Sequence, residues 1–236
     1  MNTSSRARVR LCTVALWGAL SVAGVVHAAD DASGWYIEGA ATYSMLKDAR
    51  GTVANTVFAG APPTTLHLVN NVNDGWGGLF AFGYRAGRFR LEGEIGRTTN
   101  DGDSYTTLTP VQGTFPMEGK FDVTRYMVNT HLELGGGRWN PHLGIGVGKA
   151  DVRLWTFGAP AAAPNIPPRA LIDDSDTVLA YQLIAGVAYD LRANLALTAR
   201  YRWFETADPE GLDSRGERIS REMSGHNLDI GLRYRF

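Results

Sequence analysis

The sequence predicts an all-β fold, an eight-stranded antiparallel up-and-down transmembrane β-barrel that follows a cleaved signal peptide. Three observations predict this fold. Apolar and polar residues alternate with a period of two along most of the chain after residue 29, as they do in β-strands. No apolar run of about 18 residues occurs there, so no further membrane-spanning helix is predicted. Glycine is abundant, with 28 residues in 236, which suits turns and narrow interiors better than helices.

The first 28 residues have the features of a secretory signal peptide. Arginines and no acidic residues precede the short apolar stretch 11–26, and a small-x-small cleavage site ends at Ala28. We expect cleavage after Ala28, which leaves residues 29–236 as one barrel domain. Cys12, the single cysteine, lies inside the predicted signal, so a disulfide framework is excluded for the exported chain.

Eight strands are predicted from the alternation, at residues 34–46, 75–86, 88–98, 120–134, 138–155, 177–191, 194–206 and 225–236. Short and long connections alternate between them. The short ones are predicted at Ala86-Gly87, at 135–138 and around Arg192-Ala193. The long ones are predicted as loops, at 47–74, 99–119, 156–176 and 206–224. Because neighbouring strands run in opposite directions, all the long loops lie at one end, as in transmembrane barrels.

The two faces of the predicted strands differ in charge. One face carries no charged residue and is lined by large apolar side chains, among them Ile37, Phe80, Phe82, Leu91, Ile95, Val128, Leu143, Ile145, Val147, Leu183, Leu197 and Ile230. The other face carries ions of both signs, namely Glu38, Arg85, Arg90, Glu92, Glu94, Arg125, Glu133, Arg200, Arg202, Asp229, Arg233 and Arg235, together with His131 and Gln182. Unpaired buried ions cost several kcal/mol each, so these ions cannot form an ordinary dry core. A closed barrel with its apolar face toward lipid and its charges paired inside satisfies both faces.

Aromatic residues are predicted to form two girdles at the edges of the apolar face, where amphipathic rings favour the headgroup layer. The girdle at the short-turn end consists of Trp35, Tyr84, Phe89, Trp139, Tyr189, Tyr234 and Phe236. The girdle at the long-loop end consists of Tyr43, Trp76, Trp155 and Trp203.

Turn lengths predict the strand registers. A two-residue turn at Ala86-Gly87 pairs Tyr84 with Phe89, Phe82 with Leu91, Gly83 with Arg90, Ala81 with Glu92 and Leu79 with Glu94. A four-residue loop at 135–138 pairs Leu134 with Trp139 and places His131 opposite His142. An odd-length, bulged connection is expected between the sixth and seventh strands, and a bulge or a missing bond at Pro141.

The last strand, residues 228–236, ends on an aromatic residue and has apolar residues at every second position. It resembles the C-terminal assembly signal of Gram-negative outer-membrane proteins, carried here by Leu232, Tyr234 and Phe236. With the signal peptide and the strand pattern, the chain resembles the small eight-stranded outer-membrane barrels, such as the OmpA-type transmembrane domain and the opacity-like surface antigens. The resemblance implies insertion by the barrel assembly machinery, contact with outer-membrane lipid and lipopolysaccharide, and no periplasmic domain after Phe236.

The candidate site is a polar network in the barrel lumen, formed by Glu38, Arg90, Glu92, Glu94, His131, His142, Arg200, Arg202, Asp229 and Arg233. An eight-stranded barrel is just wide enough for side chains to fill, so these residues are interpreted as structural ion pairs. A metal or pH-sensing role for the two histidines is considered and is less favoured than a filling role. No cofactor and no metal ion are expected.

The favoured function is a structural or surface-interaction role in the outer membrane, without catalysis. A narrow channel for small solutes is the alternative, and a lipid A-modifying enzyme is less favoured because no histidine of the exported chain starts a His-x-Ser pair. A soluble lipocalin-like barrel would place its charges outside. The long loops are acidic, with Asp101, Asp103 and Glu118 in one and Asp173, Asp174 and Asp176 in another. They are expected to contact an extracellular ligand, and nucleic acid is not expected.

Overall fold

The structure, a computed structural model, describes residues 33–47, 49–56, 64–109, 112–158, 169–207, 210–212 and 218–236. The predicted signal peptide and its cleavage site lie outside the described residues, as does the proline-rich segment 159–168.

Twelve β-strands are described, and every ladder between them is antiparallel. Their bounds are β1 Gly34–Leu46, β2 Ala49–Thr56, β3 Thr64–Val72, β4 Gly75–Ala86, β5 Phe89–Thr109, β6 Gly113–Glu133, β7 Trp139–Gly158, β8 Arg169–Arg192, β9 Leu195–Thr206, β10 Glu210–Leu212, β11 Arg218–Glu222 and β12 Ser224–Arg235.

Eight of these strands close into a ring in the order β1, β4, β5, β6, β7, β8, β9 and β12, and β12 pairs again with β1. Following the register once round the ring from Met45 leads back to Trp35 on the same strand, a stagger of ten residues. Such a stagger tilts the strands by roughly 35–45° from the barrel axis. The predicted eight-stranded antiparallel barrel is therefore confirmed.

The four segments predicted as long loops are largely strands, so that part of the prediction is wrong. β5, β6, β7 and β8 are 20 to 24 residues long and continue far beyond the short strands β1, β4, β9 and β12. The β2–β3 hairpin pairs with the far half of β5, β11 pairs with β2, and β10 pairs with β11 and lies against β8. We call the zone formed by β2, β3, β10, β11 and the far halves of β5 to β8 the outer barrel. The far half of β5 is rich in threonine, which favours β-structure without an apolar alternation that would predict it.

The β4–β5 turn lies at Gly87-Arg88, one residue later than predicted. Its first residue, Gly87, has φ of 59°, a conformation that a tight hairpin turn requires and that glycine adopts at least cost. Tyr84 therefore pairs with Leu91 and not with Phe89. The shift amounts to two residues, so each side chain stays on its predicted face.

The β6–β7 register is also shifted by two residues from the prediction. Glu133, not His131, lies opposite His142, and the Leu134 amide donates to the Pro141 carbonyl at 2.8 Å. The longer loop is possible because Gly137 adopts φ of 116°. Leu134 consequently does not pair with Trp139.

Both expected irregularities are found, the first as a bulge and the second as a missing hydrogen bond. The bulged connection between β8 and β9 is confirmed, since the register shifts between Asp190 and Arg192. At Pro141 the β7–β8 register continues without a bulge. Proline only removes the return hydrogen bond to β6 at the last step of that ladder, where the cost is small.

The predicted faces of the barrel are confirmed. Outward apolar side chains are exposed, for example Ile145 at 64% and Ile230 at 65%, whereas inward Glu38 is 1% exposed. We call this zone the apolar belt. Ring pairs mark its two edges, with Trp139 and Tyr189 centroids 4.7 Å apart at the short-turn end and Tyr43 and Trp76 centroids 4.9 Å apart at the other.

Candidate functional site: a buried ion network in the barrel lumen

The lumen inside the apolar belt is filled by ions in equal number. Five arginines and five carboxylates are each at most 5% exposed, and together we call them the ionic lumen: Arg90, Arg125, Arg200, Arg202, Arg233, Glu38, Glu92, Glu94, Glu133 and Asp229. Glycines and alanines on neighbouring inward positions make room for these long side chains. A Cβ at Gly186, for example, would lie 2.9 Å from Cγ of Arg200. The ten ions of the lumen are thus buried and balanced in charge.

Arg200 on β9 is the centre of this network. Its guanidinium lies 3.2 Å from Glu38 on β1 and 3.3 Å from Glu92 on β5, two strands that both pair with β4. Glu38 also accepts a hydrogen bond from Arg233 at 2.8 Å and one from Thr198 at 2.9 Å. Glu38 is therefore held by more than one donor, which offsets the cost of removing its charge from water.

A second group of contacts lies on the side of the long strands. Arg202 on β9 donates to Asp229 at 2.8 Å and to the side chain of Gln182 at 2.8 Å, and it also pairs with Glu94. Glu94 lies 3.2 Å from Arg125 on β6. These contacts join five strands across the lumen, namely β5, β6, β8, β9 and β12.

A third group lies toward the short-turn end. Arg90 and Glu133 form a salt bridge of 2.5 Å, and the Tyr36 hydroxyl donates to Glu92 at 2.8 Å. The guanidinium carbons of Arg90 and Arg233 stand 5.5 and 5.2 Å from the centre of the Tyr36 ring, within the range of a cation–π contact. Aromatic and ionic contacts together join β1, β5, β6 and β12 at this end of the lumen.

The two histidines of the predicted network lie in the same region. The ring centroids of His131 and His142 are 5.5 Å apart, and Nε2 of His131 is 3.5 Å from Glu92. They are diagonal neighbours because of the two-residue register shift, not directly opposite as predicted. Within the described residues, no group of three or more His, Cys, Asp or Glu side chains has the arrangement of a metal site.

A buried apolar cluster, which the sequence reasoning missed, lies next to the ionic lumen toward the outer barrel. We call it the apolar cluster, and its buried members are Leu68, Phe121, Val123, Met127, Ala150, Val152, Leu154, Ala180, Phe204 and Met223. Phe121 is fully buried and Phe204 is 2% exposed. The cluster fills the barrel at the level where the long strands leave the apolar belt.

The signal for this cluster is a reversal of the hydropathy pattern within single strands. On β7 the outward residues change from Ile145 and Val147 to Lys149, while the inward residues change from His142 to Val152. The strand keeps its direction and its alternation, so only the polarity of each face reverses. A search for such a reversal could have found the cluster.

Trp155 does not belong to the outer girdle, so its predicted place is wrong. Lys149, Asp151 and Arg153 separate it from Val147, the last apolar outward residue of β7. Trp155 pairs in register with Lys120 and Asp173, far out on the outer barrel. The other three residues of that girdle, Tyr43, Trp76 and Trp203, lie at the edge of the apolar belt.

The acidic residues of the predicted loops lie on strands of the outer barrel. Asp101, Asp103 and Glu118 face solvent. Asp173 lies 3.5 Å from Arg153, in an exposed ion pair. The side chain of Asp174 lies outside the described residues.

The three residues of the predicted assembly signal lie outward on β12 and in the terminal residue. Leu232, Tyr234 and Phe236 are 50%, 41% and 73% exposed, and the last two rings pack edge to face at 5.5 Å. Their position at the apolar belt agrees with contact to lipid, and their role in assembly stays a prediction.

Comparisons with known proteins agree with this architecture. No helix among the described residues is long and apolar enough to cross a membrane. No functionally curated protein matches the chain in sequence. Among solved structures, the outer membrane protein OprG from Pseudomonas aeruginosa shares 12% identity, with 86% of this chain and 96% of that chain covered and a TM-score of 0.55. The outer membrane protease OmpT from Escherichia coli shares 9% identity, with 85% and 97% covered and a TM-score of 0.50.

These two likenesses show the fold, an outer-membrane barrel. The sequence itself matches the profile of the outer membrane protein beta-barrel domain over residues 12–236, nearly the whole chain. The closed ring, the exposed apolar belt and the buried ions are what that location requires, with lipid outside and paired charges inside. The chain therefore belongs to the outer membrane protein beta-barrel domain family and resides in the outer membrane of a Gram-negative bacterium.

Proposed function

We propose that this protein is a non-conducting, non-catalytic barrel of the outer membrane that acts through its extracellular outer barrel. The observation that carries the proposal is the ionic lumen, in which five arginines and five carboxylates fill the interior and are almost fully buried. A solute pathway would need a continuous polar opening. The paired side chains and the adjoining apolar cluster occupy the space that such an opening would take.

The outer barrel supports the surface part of this proposal. Strands β5 to β8 run far beyond the apolar belt, and their outward residues there are mainly charged or polar. Residues on hydrogen-bonded strands are held more precisely than residues on flexible loops, so the outer barrel suits the presentation of a binding surface. Non-catalytic function agrees with the missing His-x-Ser pair in the sequence. Insertion by the barrel assembly machinery, through Leu232, Tyr234 and Phe236, remains part of the proposal.

Planar-bilayer recording of the refolded protein tests the proposal. Samples are accepted only when they show the heat-modifiable migration of a folded barrel on SDS gels. We expect no stepwise conductance from the wild-type protein. The comparison variant combines Phe121→Ala with Arg202→Ser and Asp229→Ser, which opens the apolar cluster and removes a balanced ion pair.

The variant is expected to conduct, because water can enter a lumen that has lost its filling side chains. Reproducible conductance steps from the wild-type protein would contradict the proposal and favour a narrow channel for small solutes. Mass spectrometry of lipid A from cells with and without the protein tests the non-catalytic part. A difference in acylation between those cells would identify a lipid-modifying enzyme instead.

A further inference from the structure

The outer barrel carries an open cleft of about 710 Å³ that the lumen does not explain. Three neighbouring strands line it with solvent-facing side chains, which are Asp101 and Asp103 on β5, Glu118 and Lys120 on β6, and Trp155 and Phe157 on β7. The volume lies in the range of sites that hold a small ligand or a few residues of a peptide.

Two aromatic rings form one wall of this cleft. Trp155 and Phe157 are each 37% exposed, their centroids are 6.3 Å apart, and their planes differ by 10°. The two nearly parallel rings together form an aromatic platform that is partly exposed to water. On the same face of β7 the preceding outward residues are charged, so lipid contact does not account for the platform. Exposed aromatic platforms beside polar residues are typical of binding surfaces.

The charge of the cleft determines the kind of ligand that fits. Three carboxylates, those of Asp101, Asp103 and Glu118, face one ammonium group, that of Lys120. Arg153, the nearest further cation on β7, is paired with Asp173 at 3.5 Å and so is already balanced. The cleft is acidic, and a ligand with positive charge complements it.

A guanidinium group matches both features of the cleft at the same time. It is planar and stacks on an aromatic ring, and its edges donate paired hydrogen bonds to carboxylates. An ammonium group has the charge and lacks the plane. The cleft spans three strands, each about 4.8 Å from the next, which is longer than one guanidinium and leaves space for the adjoining main chain.

We propose that the cleft on β5, β6 and β7 binds arginine side chains of an extracellular polypeptide. Trp155 and Phe157 would stack on the guanidinium, and Asp101, Asp103 and Glu118 would accept its hydrogen bonds. This inference deepens the surface role proposed above and rests on it. The two proposals fail separately, because conductance reports on the lumen and peptide binding reports on the cleft.

Fluorescence anisotropy with the folded protein in phosphatidylcholine nanodiscs tests this site. The probes are dye-labelled hexa-arginine, hexalysine and hexaglutamate. We expect hexa-arginine to bind about fivefold more tightly than hexalysine, because only a guanidinium adds stacking to charge attraction. We expect its binding to weaken as NaCl rises from about 50 to 500 mM, because exposed charges are screened. Hexaglutamate should not bind.

Variants assign the binding to the cleft. Replacing its acids together, Asp101→Asn with Asp103→Asn and Glu118→Gln, should weaken hexa-arginine binding roughly tenfold. Trp155→Leu keeps an apolar side chain, removes the ring and should weaken it about fivefold. The control is Asp151→Asn, an exposed carboxylate on β7 outside the cleft, which should change binding less than about twofold.

Unchanged binding by the triple variant would overturn the proposal, as would equal binding of hexa-arginine and hexalysine. Binding of a neutral N-acetylglucosamine oligosaccharide without binding of hexa-arginine would also overturn it and would identify a glycan site. All substituted side chains face solvent, and heat-modifiable migration verifies that each variant is folded.

Discussion

The apolar belt and the outer barrel are built largely from the same strands, yet their faces have opposite polarity. Within the belt, β6 and β7 direct Val128 and Ile145 outward and Glu133 and His142 inward. In the outer barrel the same two strands direct charged residues outward and apolar residues such as Phe121 inward. The surrounding solvent explains the difference, since lipid contacts the first zone and water the second.

This contrast assigns a different source of stability to each zone. In the belt, burial of apolar surface inside the barrel contributes little, and paired ions hold the lumen together at the cost of their desolvation. In the outer barrel, the apolar cluster gains from the hydrophobic effect in the same way as the core of a soluble protein. Substitutions in each zone should therefore show whether paired ions or buried apolar side chains stabilise it.

The largest effect is expected from removing one partner of the ionic lumen. Arg202→Met leaves Glu94 and Asp229 with one cation fewer, and breaking a buried pair typically costs about 3–5 kcal/mol of unfolding free energy. Urea unfolding in lipid vesicles, followed by tryptophan fluorescence, measures the loss. The double variant Arg202→Met with Glu94→Gln should regain part of it. A double variant no more stable than the single one would show that packing, not charge balance, is lost.

A somewhat smaller effect is expected in the apolar cluster. Phe121→Ala removes a fully buried ring and should cost about 3 kcal/mol, the lower end of the usual range, because the flexible side chain of the neighbouring Met117 can enter part of the space. The same unfolding experiment measures it. Phe115→Ala, which alters a partly exposed ring, is the control and should cost less. Equal losses for the two variants would argue against a cluster that behaves as a core.

The smallest effects are expected from two substitutions at outward positions of β7. They test whether the polarity of the outward face reverses between the apolar belt and the outer barrel. Ile145→Arg places a charge in the lipid-facing belt and should cost about 2–3 kcal/mol. Arg153→Leu places an apolar side chain on the water-facing outer barrel and should change stability by less than about 1 kcal/mol, since its ion pair is exposed. If Arg153→Leu is as costly as Ile145→Arg, the boundary between belt and outer barrel lies elsewhere on the strand.

Much of the belt could be predicted from the sequence, because one solvent pattern repeats on every strand there. Alternation identified the eight strands and the inward position of residues such as Arg200 and Glu92. The strand registers were harder to predict from the sequence. A hairpin can slip by two residues without moving any side chain to the other face, so hydropathy does not distinguish Tyr84 opposite Phe89 from Tyr84 opposite Leu91.

The outer barrel could not be predicted in the same way. The threonine-rich far half of β5 lacks a clear apolar alternation, and the alternation on β6 and β7 reverses its polarity there. In addition, β3 and β11 pair with β5 and β2, which are far from them in the chain. The cleft shows the same limit, because Asp103, Glu118 and Trp155 become neighbours only when β5, β6 and β7 pair. Spacing along the chain carries no sign of that proximity.

By itself, the sequence determined the fold class, the number of strands in the ring and the face on which each belt residue lies. These properties follow from local alternation and from lipid excluding unpaired ions, so neighbouring residues suffice to reveal them. The tertiary structure alone decided the registers, the partners within the ionic lumen, the outer barrel and the aromatic, acidic cleft. These features depend on which distant strands pair and on the register of each pair. Only the closed ring with its ten-residue stagger determines both.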